Sequence, residues 1–183
     1  MKKYEFTGET KEIKLLFRTA VLHRIRATVS FGFVKIGDLG GWIEKEENLS
    51  HEGKAWVCGD AKVWGNAKVW GNAKVCGDAK VCGDAEVWGN AEVCGDAEVF
   101  SASHVLVIGA IGSRNDFTTF YRDKDNEITV KCGCFLGKID RFLEKVTQTH
   151  GDSKYALVYR AAVEVAKLQI DLSGEAPKDA DEE

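Results

Sequence analysis

Apolar and polar positions alternate through the middle of the chain with a period that does not vary. From residue 55 the sequence reads AWVCGD, AKVWGN, AKVWGN, AKVCGD, AKVCGD, AEVWGN, AEVCGD and AEVF, seven full six-residue units and most of an eighth. Alanine fills the first position of every unit, valine the third, and glycine followed by Asp or Asn the fifth and sixth of each full unit. Side chains of an extended segment point alternately to opposite faces. Ala and Val therefore share one face, and the Lys/Glu and Trp/Cys positions share the other. The Gly-Asp and Gly-Asn dipeptides tolerate the positive φ that a sharp bend requires. A short strand with a small apolar inner face, bent every six residues, predicts a tightly wound parallel β-helix.

The same register runs on, less perfectly, at both ends. Ile43 and Leu49 fall on Ala positions before the run, and Ser103 and Val105 fall on Ala and Val positions after it. This predicts a helix over residues 42–108. Residues 1–41 read as a lead-in or cap of two or three strands, from the alternation at Tyr4 and Phe6 and the β-branched run over 21–29. Gly32, Gly37, Gly40 and Gly41 mark the turns that deliver the chain to the coil. Beyond the coil, FTTFYR and EITVKC are strand-like runs joined by a hairpin signal at residues 123–126. Helical spacing then takes over at Ile139, Phe142, Leu143 and Val146, and again at Tyr155, Val158, Ala162, Val165, Ala166 and Ile170. Residues 109–172 are thus expected to form a ββαα domain that covers the open strand edges of the last coil. Residues 173–183, SGEAPKDADEE, are acidic and small-residue rich, and are expected to be disordered.

The repeat resembles the hexapeptide repeat of left-handed β-helix proteins, which implies triangular coils of three hexads each. The expected fold class is therefore mainly β: a left-handed parallel β-helix with N-terminal strands and a C-terminal α+β (ββαα) domain. In that register the outward positions stack in ladders: Cys58, Cys76 and Cys94; Trp64, Cys82 and Phe100; Trp70, Trp88 and Leu106. Beside them run Trp56, Lys74 and Glu92, then Lys62, Lys80 and Glu98, then Lys68, Glu86 and His104. Tryptophans exposed in line usually mark an interface. Trp64, Trp70, Cys82, Trp88 and Phe100 are accordingly the expected oligomer contacts. Two stripes on adjacent faces suit a homotrimer, and the resemblance implies the same. The competing reading is that lead-in strands or the C-terminal domain fold back over one stripe. Three thiols in line converge on no common point, so no metal site is expected from the cysteine ladder.

Composition narrows the partners. The 183 residues are 44% hydrophobic and 30% charged with a net charge of −4, which argues against a general nucleic-acid binder. The N-terminal stretch lacks the apolar core of a secretory signal, and no run approaches a membrane span. With six cysteines, this favours reduced thiols in a cytoplasm.

Candidate chemistry is sparse. Acyl transfer from an acyl-coenzyme A is the activity that the fold resemblance suggests, and it needs a histidine base near a cleft. Of His23, His51, His104 and His150, the coil carries His51 and His104, one at each imperfect end. The second candidate is the loop after the coil, Ser113, Arg114, Asn115 and Asp116, followed by Thr118, Tyr121 and Arg122. Gly, Ser and Asn permit a tight loop with free backbone N–H groups, and an arginine there can grip a phosphate. The bland reading pairs Arg114 with Asp116 on an ordinary turn. The flanks GDLGGWIEKEENLSHEG, IGSRND and VKCGCFLG are similar to those of hexapeptide-repeat proteins encoded by bacteriophages and prophages. That resemblance implies a host-cytoplasmic phage product that counters host defence. On this reading the chain binds and sequesters a small anionic, cyclic-nucleotide-like ligand at inter-subunit pockets, with no catalytic residue, cofactor or membrane partner. The alternatives are the acyltransferase and a scaffold whose tryptophan stripes dock a host protein.

Overall fold

The computed structural model describes residues 2–175; the stretch 176–183 of the expected acidic tail lies outside the described residues. The chain opens with two long strands, β1 (Tyr4–Leu15) and β2 (Arg18–Ala27), paired as an antiparallel hairpin. Strand β3 (Leu39–Ile43) pairs antiparallel with β2 and then parallel with the first coil, so the hairpin grows directly out of the solenoid wall. The hexads give eight rungs: β4 (Trp56–Val57), β5 (Lys62–Val63), β6 (Lys68–Val69), β7 (Lys74–Val75), β8 (Lys80–Val81), β9 (Glu86–Val87), β10 (Glu92–Val93) and β11 (Glu98–Val99). They stack as three walls, β4-β7-β10, β6-β9 and β3-β5-β8-β11, in a β-solenoid of about three turns. Trp56 sits under Lys74 and Lys74 under Glu92, which is the eighteen-residue register. The inner Ala and Val of every rung are buried, forming a narrow core that larger side chains would burst. At the corners from Gly53 to Gly77 the glycine approaches the glycine of the next coil: a Cβ on Gly77, whose φ is +73°, would lie 2.9 Å from the Gly95 nitrogen.

The C-terminal unit is larger than a ββαα cap. Four antiparallel strands, β12 (Val105–Ile111), β13 (Asp116–Arg122), β14 (Ile128–Cys132) and β15 (Phe135–Lys138), pair in sequence order, and helices α1 (Ile139–His150) and α2 (Lys154–Gln169) follow. Residues 105–108, expected inside the coil, belong to β12. The hexad turn is missing after Phe100, where residues 102–104 form a 3₁₀ turn instead. The run that follows is apolar on both faces. Val105 and Val107 pack on the solenoid core, whereas Leu106 and Ile108 pack with Phe120, Val130, Phe142 and Val163 beneath the helices. A strand that is apolar on both sides needs a layer on each side, and the sheet provides this by lying between solenoid and helices.

That sheet closes the upper strand edge with side chains. The Cys94 N–H donates to the Tyr121 hydroxyl at 3.3 Å, and the same hydroxyl donates to the Cys94 carbonyl at 2.9 Å. The Glu92 N–H donates to the Thr119 hydroxyl at 3.0 Å, and the Phe100 N–H to His104 Nδ1 at 3.3 Å. Each replaces a backbone partner that a further coil would have supplied.

The hairpin performs the equivalent task on the flank. Ile13, Ala20 and Leu22 pack against Trp42, Trp64 and Cys82 in one buried cluster, with Phe100 partly buried beside it. Trp64 and Cys82 are each 3% exposed. The expectation that this stripe faces outward is therefore corrected: the lead-in strands cover it within the same chain. Trp56 is buried as well, against Phe31 and Tyr4. Trp70 and Trp88 keep 42% and 55% exposure. Among the described residues, no helix is long and apolar enough to cross a membrane.

Candidate functional site

The loop residues singled out from the sequence do not form one site. Ser113, Arg114 and Asn115 lie in the exposed turn between β12 and β13, with Asn115 at a φ of +51°. Arg114 does not engage Asp116. Its guanidinium lies across Gly133 and donates to the Cys132 carbonyl at 3.5 Å, while the Asp116 carboxylate accepts from the N–H of Phe117 at 2.8 Å. Thr118 is fully buried and donates to the Cys132 sulfur at 3.3 Å. Tyr121 is buried on the opposite face of β13, where it caps Cys94. Arg122, 1% exposed, ends the strand some six residues from Asp116, about 20 Å at the usual rise. It stacks over the Phe100 ring at 4.5 Å and donates to Asn126 and to the Gly174 carbonyl at 3.0 Å, leaving Nε and Nη1 without a protein partner among the described residues. Neighbours in sequence along a strand alternate faces, which is why the motif disperses.

The two coil histidines act as clasps. His51 stacks on Tyr4 with centroids 4.2 Å apart, accepts from the Lys3 N–H at 3.1 Å through Nδ1, and has a Glu46 oxygen 3.6 Å from Nε2. His104 is buried with its Nδ1 on the Phe100 amide. His51 thus fastens the start of the lead-in to the coil, and His104 ties down the backbone at the coil's upper end. The Cys58, Cys76 and Cys94 thiols stack as the register requires, and contact with Cys58 pushes the Cys76 thiol up to about 12. Among the described residues no group of three or more His, Cys, Asp or Glu is placed to hold a metal ion.

A different set of residues does converge. A cleft of about 610 Å³ opens where the loop before β3, the β4-β7-β10 wall and the underside of the C-terminal sheet meet, and its lining includes Gly32, Phe33, Lys54, Asn72, Lys74, Asn90, Glu92, Asp116, Phe117, Thr119 and Lys131. Its floor is ordered by polar ladders. The Asn72 amide donates to the Asn90 amide oxygen at 3.1 Å, and the Lys74 ammonium donates to Glu92 at 2.8 Å. Lys131 reaches down from β14 to within 3.4 Å of the same carboxylate and also donates to the Gly133 carbonyl. Burial works against the charge on Glu92, but Lys74 and then Lys131 outweigh it and hold the carboxyl below its ordinary range. Glu92 in turn raises Lys74. The Lys74 ammonium also stands 4.7 Å over the ring of Phe33, and Phe117 is exposed at the other side of the cleft.

Three lysines face two carboxylates, Glu92 and Asp116, so the lining carries a surplus of one positive charge within a chain of net charge −4. Of the predicted loop residues, Asp116 lines this cleft. The lysine-over-glutamate ladder is legible from the register. Its meeting with Lys54, Lys131, Phe33 and Phe117 is not, because those residues come from separate segments that the cap and the lead-in loop bring together. No protein-family model and no curated protein matches the chain.

Proposed function

We propose that the chain is a binding protein that holds a small anionic, nucleotide-like ligand in the cleft between lead-in loop, solenoid and C-terminal sheet. The observation that carries this reading is the cleft's composition: Lys54, Lys74 and Lys131 lie in one concave space with Phe33 and Phe117. Ammonium groups suit phosphate, aromatic faces suit a base, and the amides of Asn72 and Asn90 offer donors and acceptors to a base edge. Lys54 forms no ion pair among the described residues, so its charge is available to a ligand. The cleft contains no histidine, and Glu92, its deepest carboxylate, is held by two lysines rather than poised as a base. This favours retention over turnover. With the phage-like flanks of the repeat, it fits sequestration of a host nucleotide messenger, with each chain carrying its own cleft rather than sharing one between subunits.

The test is native mass spectrometry of the full chain against a panel of mononucleotides, cyclic dinucleotides and acetyl-coenzyme A. The reading expects one nucleotide bound per chain and the same mass recovered after denaturation. Failure of every nucleotide to bind would remove it, and recovery of an altered molecule would make the protein an enzyme.

A further inference from the structure

The β6-β9 wall presents four side chains to solvent in a square: Lys68 below Glu86, and Trp70 below Trp88. The two indoles stack with centroids 5.4 Å apart and planes 11° from parallel. Their outer surface stays open, and a groove of about 320 Å³ continues it upward along Trp88, Leu106, Val107 and Phe117. On the other two walls the stacked charges bridge one another, Lys74 to Glu92 at 2.8 Å and Lys80 to Glu98 at 3.5 Å. Lys68 and Glu86 are paired in register in the same way, yet neither has an ion pair among the described residues. This wall therefore combines an uncovered aromatic stripe with one unspent charge of each sign.

We infer that the wall docks against the same wall of a second copy, with the two solenoids antiparallel. The twofold axis runs along the strand direction, midway between β6 and β9. That operation sets Lys68 of each copy opposite Glu86 of the other, and Trp70 of each opposite Trp88 of the other. It is self-complementary, as an isologous interface must be. The alternative twofold, parallel to the solenoid axis, sets Glu86 over the electron-rich face of Trp88 and pairs no opposite charges. The indoles supply the buried area, and the charges choose the orientation. Threefold packing drew on two aromatic stripes; the hairpin covers the one that carries Trp64 and Cys82, and a single stripe suits a twofold.

Sedimentation velocity on the full chain tests this. The wild type is expected to sediment as two copies, and W88S as one. K68E and E86K each place like charges across both ends of the square, and each is expected to raise the dissociation constant by at least about tenfold. An equimolar mixture of K68E with E86K restores opposite signs between copies and is expected to return the two-copy species. Contacts within one chain cannot be rescued by mixing, so the mixture separates an interface from a folding effect. A wild type of one or three copies, or a mixture that stays dissociated, overturns the inference.

Discussion

His104 is held where its neutral form is useful. Burial, and then the neighbouring Arg122 guanidinium, keep its pKa below the ordinary imidazole value, with Asp171 pulling weakly the other way. As pH falls below about 6.5, the unfolded chain takes up a proton that the folded chain does not. The stability contributed by neutral His104 is thus complete above that pH and is lost as pH falls toward the lower folded value. Protonation also removes the Nδ1 lone pair that accepts the Phe100 N–H. The unfolding temperature is expected to drop between pH 7 and pH 5, and His104→Gln is expected to flatten that drop. The same variant should cost about 1 kcal/mol near pH 8, where the native cap is intact; denaturant melts at both pH values check this. At the upper edge, Tyr121 offers a sharper case. Its hydroxyl serves both the N–H and the carbonyl of Cys94, so Tyr121→Phe leaves both without that partner at a cost of about 1–3 kcal/mol, measurable by urea unfolding.

At the level of elements, the solenoid is simple and its covers are not. Each rung contributes the same small core, and the covers must supply whatever the next coil or the solvent cannot. The β1-β2 hairpin hides Trp42, Trp64 and Cys82 beneath Ile13, Ala20 and Leu22. Leu22 is fully buried there, and Leu22→Ala is expected to cost about 2–5 kcal/mol and to raise the reactivity of Cys82 toward a thiol reagent as the hairpin loosens. An unchanged Cys82 labelling rate would mean that the hairpin is not what shields the stripe. The repeat made the coil, its register and its inward Ala and Val legible, because one short pattern states the same constraint eight times. The two helices were legible from their spacing. The four-stranded sheet was not, because residues 105–108 keep the coil's register and only the lost turn at 101–102 marks their departure. The dispersal of the loop residues was hidden for a related reason. Residues 113–122 look like a cluster in sequence, but a strand sends them to opposite faces and separates its ends.

On the scale of the whole molecule, three segments that share no motif meet at one place. The loop before β3 brings Phe33, the solenoid brings Lys54, Lys74 and the Asn72–Asn90 ladder, and the sheet brings Phe117 and Lys131. The Lys74, Glu92 and Lys131 network ties the solenoid to the sheet and holds the Lys74 and Lys131 ammonium groups in place. Fixed donors lower the ordering cost of binding. The aromatic wall of Trp70 and Trp88 lies around the next corner, and Asn90 and Phe117 border both the cleft and the groove beside that wall. The central claim concerns the lysines, and titration calorimetry of the nucleotide panel against wild type and the double variant K54A/K131A tests it most directly. The account predicts binding of one nucleotide per chain to the wild type, weakened at least tenfold in the variant and weakened further by salt. Equal affinity in the two proteins would contradict it.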